Sequence, residues 1–337
     1  MTNSPWRLLS VLPMPDEVVL AALGDLADRT KLTLLPSSTV PELHAALGDA
    51  EIVLGAWQSA GAAHLDAAAV AAAGADLVFV QQPSAGVDVL DVPALTDRGV
   101  PVANAAGANS RAVAEWAVAA ALALSRSIPF ADAGVRAGGW PQMDVVRRGH
   151  GEIGGLRVGV LGFGPVGAIA AGLFAAFGSD VAYWSRTPRE VPYPWFDPAA
   201  LCARSDIVVL ALPLTPETFG LVSTDLLASM PAGAYVINVG RGNVLDHAAL
   251  LAALESGHLG GAALDVFPIE PLPADDPLRG NDRILLSPHA AGATRQSVQR
   301  IVSTSVANLR RALDGEPVID VVNGLSPVIQ RRSEDPG

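Results

Sequence analysis

The chain has 337 residues, of which 50% are hydrophobic and 17% are charged, and its formal net charge at pH 7 is −12. A chain of this length exceeds the size at which one hydrophobic core usually continues to grow, so two domains are expected. The negative charge argues against electrostatic binding of nucleic acid or anionic lipid. The single cysteine, Cys202, excludes an internal disulfide and is expected to be a buried structural thiol.

The N-terminal sequence has no basic segment followed by an apolar core and a small-residue cleavage site. This absence predicts a cytoplasmic location. No apolar run is long enough to cross a bilayer without interruption, so no membrane association is expected.

The chain up to about residue 103 alternates short β-rich runs with Ala-rich helical patterns. This alternation is typical of a parallel α/β domain. Helices are predicted within 16–29 and 40–49. The predicted strands are RLLSVL (7–12), KLTLLP (31–36), EIVLGAW (51–57), DLVFVQQ (76–82) and PVANA (101–105).

A long helix is predicted over residues 109–128, with Asn109 or Ser110 as its N-cap and Pro129 just beyond its end. This helix is too apolar to be fully exposed. We therefore expect its apolar face to pack against a neighbouring domain or a second subunit. The following segment, 136–155, is interpreted as a loop.

A second α/β unit begins at Arg157. Helices are expected near Gly164, Asp197, Thr224 and Asp246, and in the proline-rich segment after Glu270. The chain then continues into a helix over 294–315 and a strand-like segment over 318–323, and residues 331–337 are expected to be disordered. The predicted parallel strands are RVGVLGF (157–163), DVAYWS (180–185), DIVVLALP (206–213), AYVINVG (234–240), GAALDVF (261–267) and RILLSP (283–288).

Three glycines, Gly162, Gly164 and Gly167, lie between the first strand and first helix of this second unit. Their spacing is the dinucleotide fingerprint, in which the glycines provide a tight turn, close approach of a pyrophosphate and helix–strand packing. Pro165 falls in the first turn of the helix, where its missing N–H removes no intrahelical hydrogen bond. The segment is therefore predicted to bind a nucleotide.

The tip of the second strand in such a unit usually carries an acid that binds the ribose hydroxyls of NAD. Here the tip reads Ser185-Arg186-Thr187, and Asp180 precedes the strand, so that this acid is interpreted as a solvated turn residue. An arginine at this position can form paired charge-assisted hydrogen bonds with a phosphate. The tip favours NADP as cofactor, with NAD as the alternative.

Polar residues follow three later strands at their carboxyl ends, where open α/β sheets bind ligands. Arg241 follows one strand, Asp265 ends the next with Glu270 in the loop beyond it, and His289 follows the last. Each residue alone is a weak signal. Their joint placement predicts one crevice that holds an arginine, a carboxylate and a histidine.

These motifs together resemble the D-isomer-specific 2-hydroxyacid dehydrogenase family over nearly the whole chain. The resemblance implies a two-domain α/β fold with doubly wound parallel sheets. A flavodoxin-like substrate domain, residues 1–103 and 291–330, would be split around an inserted Rossmann dinucleotide-binding domain, residues 104–290. The matching segments are SAGVD (84–88), the glycine fingerprint (162–167), LPLTPET (212–218), NVGRGNVLD (238–246), ALDVFPIEPLP (263–273) and SPHAAGAT (287–294).

The resemblance also implies residue roles. His289 would protonate a ketone oxygen while Glu270 holds the ring and favours its charged form. Arg241 would bind the substrate carboxylate and polarise the carbonyl, and Asp265 would orient the nicotinamide amide. The substrate carboxylate would also meet the backbone at Ser84, Ala85 and Gly86. The remaining cofactor contacts implied are Gly162, Gly164, Pro165, Val166, Gly167, Ser185, Arg186, Thr187, Leu212, Pro213, Val239, Gly240 and His289.

The expected activity is reduction of a small 2-keto acid, such as glyoxylate or hydroxypyruvate, by a homodimer joined through the 109–128 helix. No metal is expected. Formate dehydrogenases of this layout pair their histidine with glutamine, and phosphite dehydrogenases carry lysine where Ala85 stands, so both are disfavoured. Nucleotide-sensing corepressors of the same fold keep a similar triad and remain an alternative.

The sequence does not determine which residues line the substrate pocket. Trp57, Trp140 and Met143 are candidates to line it, and each is equally compatible with a place in the core or at a subunit contact. The other histidines are interpreted as structural or solvated: His44, His64, His150, His247 and His258.

Overall fold

The computed structural model of the protein describes residues 4–37, 39–55, 64–148 and 151–332. The chain divides into two compact units, which are called unit 1 (residues 1–109 and 295–337) and unit 2 (residues 110–294). Trp57 and His150 lie outside the described residues, as does the 333–337 part of the segment expected to be disordered.

The elements alternate between strand and helix through most of the chain. The strands are β1 (Trp6–Ser10), β2 (Thr30–Leu34), β3 (Ile52–Leu54), β4 (Phe79–Gln81), β5 (Val102–Ala103), β6 (Arg157–Leu161), β7 (Asp180–Trp184), β8 (Ile207–Leu210), β9 (Tyr235–Asn238), β10 (Gly261–Leu264) and β11 (Ile284–Leu286). The α-helices are α1 (Asp16–Leu23), α2 (Val40–Leu47), α3 (Ala67–Ala72), α4 (Val92–Asp97), α5 (Ser110–Ser125), α6 (Ile128–Arg136), α7 (Gln142–Arg147), α8 (Pro165–Ala176), α9 (Pro198–Arg204), α10 (Thr224–Ser229), α11 (His247–Glu255) and α12 (Arg295–Asp314).

Unit 1 is built on a parallel sheet with the strand order β2-β1-β3-β4-β5. Successive residues of β1 face opposite sides, so that Leu8 lies in a core with α1 and α12, whereas Leu9 lies in a core with α2, α3 and α4. Helices on both faces explain why the strands are almost continuously hydrophobic. After α12 the chain returns to the sheet edge, where Val321 forms an antiparallel bridge with Ala103.

Unit 2 is built on a parallel sheet with the strand order β11-β10-β9-β8-β6-β7. The chain begins at β6, adds β7 on one side and then crosses to β8 on the other. One face packs against α5 and α8, and the other against α9, α10 and α11. The predicted fold class, two α/β domains with parallel sheets, is confirmed.

Helix α5 corresponds to the long helix predicted over 109–128. Its buried residues, including Ala114, Ala117 and Ala121, belong to the core of unit 2 with residues of α8 and the sheet. The prediction that this face packs against another domain or a second subunit was therefore wrong for these residues. No single helix among the described residues is long and apolar enough to cross a membrane, although α5 and α6, bent by 63°, reach the required length and composition together.

Other local predictions also need correction. Part of the predicted loop 136–155 forms the short helix α7, and Pro129, which lies beyond the end of α5 as predicted, falls in the first turn of a further helix, α6. The segment after Glu270 contains only a 3-10 turn, Pro277–Gly280, because its prolines prevent longer helical hydrogen bonding. Arg331, expected to be disordered, is held by an ion pair with Glu51 and lies over the Trp6 ring.

Candidate active site

The glycine loop after β6 has the geometry that the fingerprint predicts. Gly162 has a φ of +99°, and a Cβ there would lie 2.5 Å from the Ala211 carbonyl oxygen. A Cβ on Gly167 would overlap the Gly162 carbonyl oxygen, so the backbone of α8 is in direct contact with the backbone of the turn after β6. A Cβ on Gly164, by contrast, would meet nothing within 4 Å among the described residues. The space beside Gly164 is therefore open to a ligand.

Gly164 is also the N-cap of α8, with Pro165 and Val166 as the first helical residues. Amide N–H groups in the first turn of a helix lack intrahelical acceptors and favour negative charge. A dinucleotide pyrophosphate fits a helix N-terminus that follows an open glycine turn. These residues thus fit the pyrophosphate of a dinucleotide.

The predicted cofactor contacts on the following strands lie beside this loop. The Leu212 side chain would come within 3.0 Å of a Cβ on Gly162, and a Cβ on Gly240 would lie 2.6 Å from the Leu212 carbonyl oxygen. The N–H of Val239 donates to the Leu210 carbonyl, and Pro213 is exposed one residue after Leu212. The structure therefore brings these residues together at one edge of the sheet.

The tip of β7 is a turn held by its own side chains. The Ser185 hydroxyl donates to the Thr187 carbonyl at 2.7 Å, and Trp195 Nε1 donates to the Ser185 carbonyl at 2.9 Å. Arg186 lies between Ser185 and Thr187 in sequence and is exposed. The turn therefore presents a guanidinium at the strand tip where an acid usually stands.

An acidic residue that the sequence analysis missed lies near this guanidinium. Glu217 is exposed in the loop after β8. Hydrogen bonds from the Thr215 hydroxyl and from its own backbone, together with the charge of Arg186, hold the pKa of the Glu217 carboxyl below its usual value. Glu217 is thus a negative charge near enough to Arg186 for that charge to act on it.

His289 and Glu270 form the predicted pair. His289 Nδ1 lies 2.7 Å from Glu270 Oε2, and the Phe267 N–H donates to the other carboxylate oxygen at 2.9 Å. The histidine and glutamate side chains are 31% and 29% exposed. Because Nδ1 faces the carboxylate, Nε2 is the ring nitrogen that a substrate can reach.

The charge state of Glu270 follows from its neighbours. Burial raises the pKa of its carboxyl, but the hydrogen bonds from His289 and Phe267 and the charges of His289 and Arg241 outweigh burial, so the pKa lies below its usual value. Glu270 is therefore ionised at neutral pH. Arg241, whose Nη1 donates to the Gly240 carbonyl at 2.8 Å, is close enough for its charge to act on this carboxylate.

Asp265 is buried and holds the loop that carries His289. Its Oδ1 accepts hydrogen bonds from the Ser287 hydroxyl at 2.7 Å and from the N–H groups of Ala290 and Ala291 at 2.8 and 3.0 Å. Burial raises the pKa of Asp265, and the hydrogen bonds oppose that rise only in part. The His289 N–H donates to the Asp265 carbonyl at 2.8 Å. Contact of Asp265 with a nicotinamide stays a prediction.

His289 itself has a φ of +55°, in the left-handed region that few non-glycine residues adopt. Such a conformation persists only where the surrounding structure fixes it. The bonds from Asp265 to this loop supply that constraint, so the imidazole is held in one position relative to Glu270.

Asn238 fixes the backbone at Arg241, much as Asp265 fixes the loop that carries His289. This role was not predicted from the sequence. This residue is fully buried at the end of β9. Its Nδ2 donates to the Arg241 carbonyl, and its Oδ1 accepts from the Gly240 N–H, both at 3.0 Å. The sequence feature that indicates this role is an amide side chain at the end of an otherwise apolar strand, because buried amides need hydrogen-bond partners.

The loop Ser84–Gly86 belongs to unit 1 and follows β4. The Ser84 hydroxyl donates to the Gly86 carbonyl at 2.7 Å and accepts from Gln82 Nε2 at 2.8 Å. Asn104 Nδ2 donates to the Ala85 carbonyl at 2.7 Å. Two buried amides, Gln82 and Asn104, therefore fix the backbone that was predicted to bind the substrate carboxylate.

The remaining candidates have simpler environments. Trp140 and Met143 are 79% and 58% exposed on the surface of unit 2. Burial raises the pKa of the Cys202 thiol to about 12, which fits the predicted structural role. Burial lowers the pKa of His247, an effect that Asp276 and Asp246 oppose.

The other described histidines have different environments. His258 Nε2 lies 3.2 Å from the Leu227 carbonyl oxygen, His44 is in α2 and His64 is exposed before α3. Among the residues that the structure describes, no group of three or more histidine, cysteine or acidic side chains is arranged to hold a metal ion.

Known proteins of one family are similar to this chain. A family model described as the NAD binding domain of D-isomer specific 2-hydroxyacid dehydrogenases matches residues 118–291. The glyoxylate reductase of Thermofilum pendens is 37% identical over 256 residues, which cover 74% of this chain and 75% of that protein. The chain belongs to the D-isomer specific 2-hydroxyacid dehydrogenase family.

Longer proteins and solved structures also match. The D-3-phosphoglycerate dehydrogenase of Mycobacterium tuberculosis is 34% identical over 328 residues, which cover 94% of this chain but only 59% of that protein. The crystal structure of the TT0316 protein from Thermus thermophilus has a TM-score of 0.82 and 32% identity, covering 94% of this chain and 99% of that one.

Proposed function

We propose that the protein is an oxidoreductase that interconverts a 2-keto acid and a D-2-hydroxy acid, with NADPH as the favoured cofactor. The observation that carries this proposal is the His289–Glu270 pair at 2.7 Å, beside the charge of Arg241 and at the same sheet edge as the glycine loop. A bound reduced nicotinamide would supply the hydride.

In the proposed reaction His289 is the proton donor. Addition of hydride to the keto carbon places negative charge on the carbonyl oxygen, and a protonated imidazole within hydrogen-bond reach can donate its proton there. Ionised Glu270 favours the charged ring and fixes its orientation. In the reverse direction, neutral His289 accepts the proton of the substrate hydroxyl.

The substrate carboxylate has two proposed partners. The Arg241 guanidinium can form two parallel charge-assisted hydrogen bonds with a carboxylate. The backbone of Ser84–Gly86, fixed by buried amides in unit 1, is the second partner that the family resemblance implies. Binding through the carboxylate would orient the adjacent carbonyl for reduction.

The preference for NADPH is supported by the exposed Arg186 on the hydrogen-bonded turn at the tip of β7. Losing a hydrogen bond to a charged group costs about 1.5–3 kcal/mol, which corresponds to about ten- to a hundredfold in affinity. Glu217 opposes this preference because its negative charge competes with the 2′-phosphate for Arg186. NAD is therefore the alternative cofactor.

The proposed partner in solution is a second copy of the chain. Helices α6 and α7 and the turn between them carry exposed large apolar side chains, whereas no large apolar side chain of α5 is among the exposed ones. Exposed large apolar side chains are a feature of protein interfaces. The exposed residues are Ile128, Val135, Trp140, Met143 and Val146.

Initial-rate assays with purified protein test the proposed function. Glyoxylate, hydroxypyruvate and larger 2-keto acids are each supplied with NADPH and with NADH. The proposal expects cofactor oxidation that depends on the keto acid and is more efficient with NADPH. Equal or better use of NADH would overturn the cofactor assignment, and no turnover of any 2-keto acid would overturn the reaction.

A further inference from the structure

The strand order of unit 1 defines a position at which open α/β sheets typically bind ligands. This order, β2-β1-β3-β4-β5, is the flavodoxin-like order, in which the chain reverses direction across the sheet between β1 and β3. Ligands of open α/β sheets bind outside the carboxyl ends of the strands at this switch point. The topology of unit 1 therefore favours a pocket at this switch point.

A cavity of about 330 Å³ lies there. Its walls include Leu12, which follows β1, Leu54 at the end of β3 and Pro83, which follows β4. Side chains from α1 and α12, among them Ala22 and Val302, complete the walls. Ligand pockets usually have volumes of about 300 to 1,000 Å³, so this cavity has room for a small organic group.

The chemistry of the walls is apolar. Of the described residues that line the cavity, only Gln299, Ser303 and Ser305 are polar, and none carries a charge. The Ser305 hydroxyl is buried and has no hydrogen-bond partner among the described residues. An apolar group would fill the cavity, whereas an ionised group would lose its hydration without gaining a counter-charge.

Pro83 connects this cavity to the proposed substrate site. It lies in the cavity wall and is followed directly by the Ser84–Gly86 loop, which is proposed to bind the substrate carboxylate. The cavity and the loop are thus consecutive along the carboxyl edge of the same sheet. A 2-keto acid whose carboxylate binds this loop could therefore direct its side chain into the cavity.

From this arrangement we infer that the cavity receives the side chain of the substrate, and that the substrate is a 2-keto acid with a branched aliphatic or aromatic side chain. The inference rests on the proposed function. It makes glyoxylate a poor substrate because glyoxylate has no side chain to bury. It also makes phosphorylated keto acids poor substrates because the described walls offer their phosphate no positive charge.

The size of the effect follows from burial. Each buried methylene contributes ~0.8 kcal/mol, which is about a fourfold gain in binding. Three additional carbons, from pyruvate to 4-methyl-2-oxopentanoate, therefore predict a gain in kcat/KM on the order of tenfold to a hundredfold.

The test combines a substrate series with a matched pair of variants. The substrates are glyoxylate, pyruvate, 4-methyl-2-oxopentanoate, phenylpyruvate and phosphohydroxypyruvate. Ala22→Phe fills the cavity from α1, and Ala21→Phe places the same ring on an exposed neighbouring position outside the cavity wall. Val302→Ala enlarges the cavity and provides a second variant if Ala22→Phe does not fold.

The inference expects the branched and aromatic substrates to be preferred by at least tenfold. Ala22→Phe should remove that preference, Ala21→Phe should leave it unchanged, and Val302→Ala should shift it towards phenylpyruvate. A best rate with glyoxylate or phosphohydroxypyruvate, or equal effects of the two phenylalanine variants, would overturn the inference and leave the proposed function intact. Absence of turnover with every keto acid and both cofactors would overturn both.

Discussion

Replacing Glu270 by glutamine removes one negative charge beside His289 and nearly preserves the shape of the side chain. The expected consequence is a shift of the pH profile for keto-acid reduction. Reduction needs the protonated imidazole, so its kcat/KM is high at low pH and falls as the ring loses its proton. Without the carboxylate the charged ring is less stable, and the falling limb should move to lower pH.

The magnitude follows from the contact between the two side chains. A hydrogen bond to a charged group contributes about 1.5–3 kcal/mol, which is about ten- to a hundredfold in an equilibrium constant. Both side chains of the 2.7 Å pair retain exposure to solvent, 31% and 29%, which favours the lower end of that range. At neutral pH we therefore expect kcat/KM for reduction to fall about tenfold in Glu270→Gln.

The assay is kcat/KM against pH in both directions for the unmodified protein and for Glu270→Gln. The rising limb of alcohol oxidation should move by the same amount as the falling limb of reduction, because both report the same proton. Glu255→Gln, at the exposed end of α11, serves as the control for loss of one carboxylate. An unmoved limb with a substantial solvent isotope effect would refute the assigned role of Glu270.

The remaining predictions concern the cofactor and the substrate carboxylate. Arg186→Ala should weaken NADPH binding about ten- to a hundredfold and leave NADH binding nearly unchanged, as measured by titration; equal losses would contradict phosphate recognition. Arg241→Lys should lower kcat/KM for 2-keto acids with little change in cofactor affinity, because lysine lacks the planar fork; normal turnover would exclude a bidentate role. Gly167→Ala should abolish cofactor binding or destabilise unit 2, because the added Cβ would overlap the Gly162 carbonyl oxygen. Gly164→Ala should fold normally and lose only affinity for the cofactor, because a Cβ there meets nothing within 4 Å among the described residues. Thermal unfolding measures the first effect and cofactor titration the second.

Features that depend on local pattern could be predicted from the sequence. The buried strands β6 and β8 are continuous apolar runs, and the glycine spacing around Gly164 specifies a strand, a turn and a helix in that order. The contact between Glu270 and His289 could be predicted because the two residues follow neighbouring parallel strands, whose carboxyl ends meet at one edge.

Features that depend on contacts between distant segments could not be predicted in this way. The hydrogen bonds of Asp265 form only because the 287–291 loop returns across the end of β10. Glu217 approaches Arg186 through the relative positions of two loops, which no local pattern encodes. The burial of α5 within unit 2 likewise follows from packing, since an apolar helix has the same sequence pattern whichever partner covers it.

The most direct test of the central claim is the rate of 2-keto acid reduction by His289→Ala at saturating NADPH, with NADPH affinity measured on the same preparation. General acid–base catalysis contributes about 10²–10⁴-fold, so the rate should fall by that factor. Affinity for NADPH should fall far less than the rate, because the glycine loop and the β7 tip, which carry most of the implied cofactor contacts, lie on other strands of unit 2. A variant that binds NADPH normally and retains the rate of the unmodified protein would contradict the account.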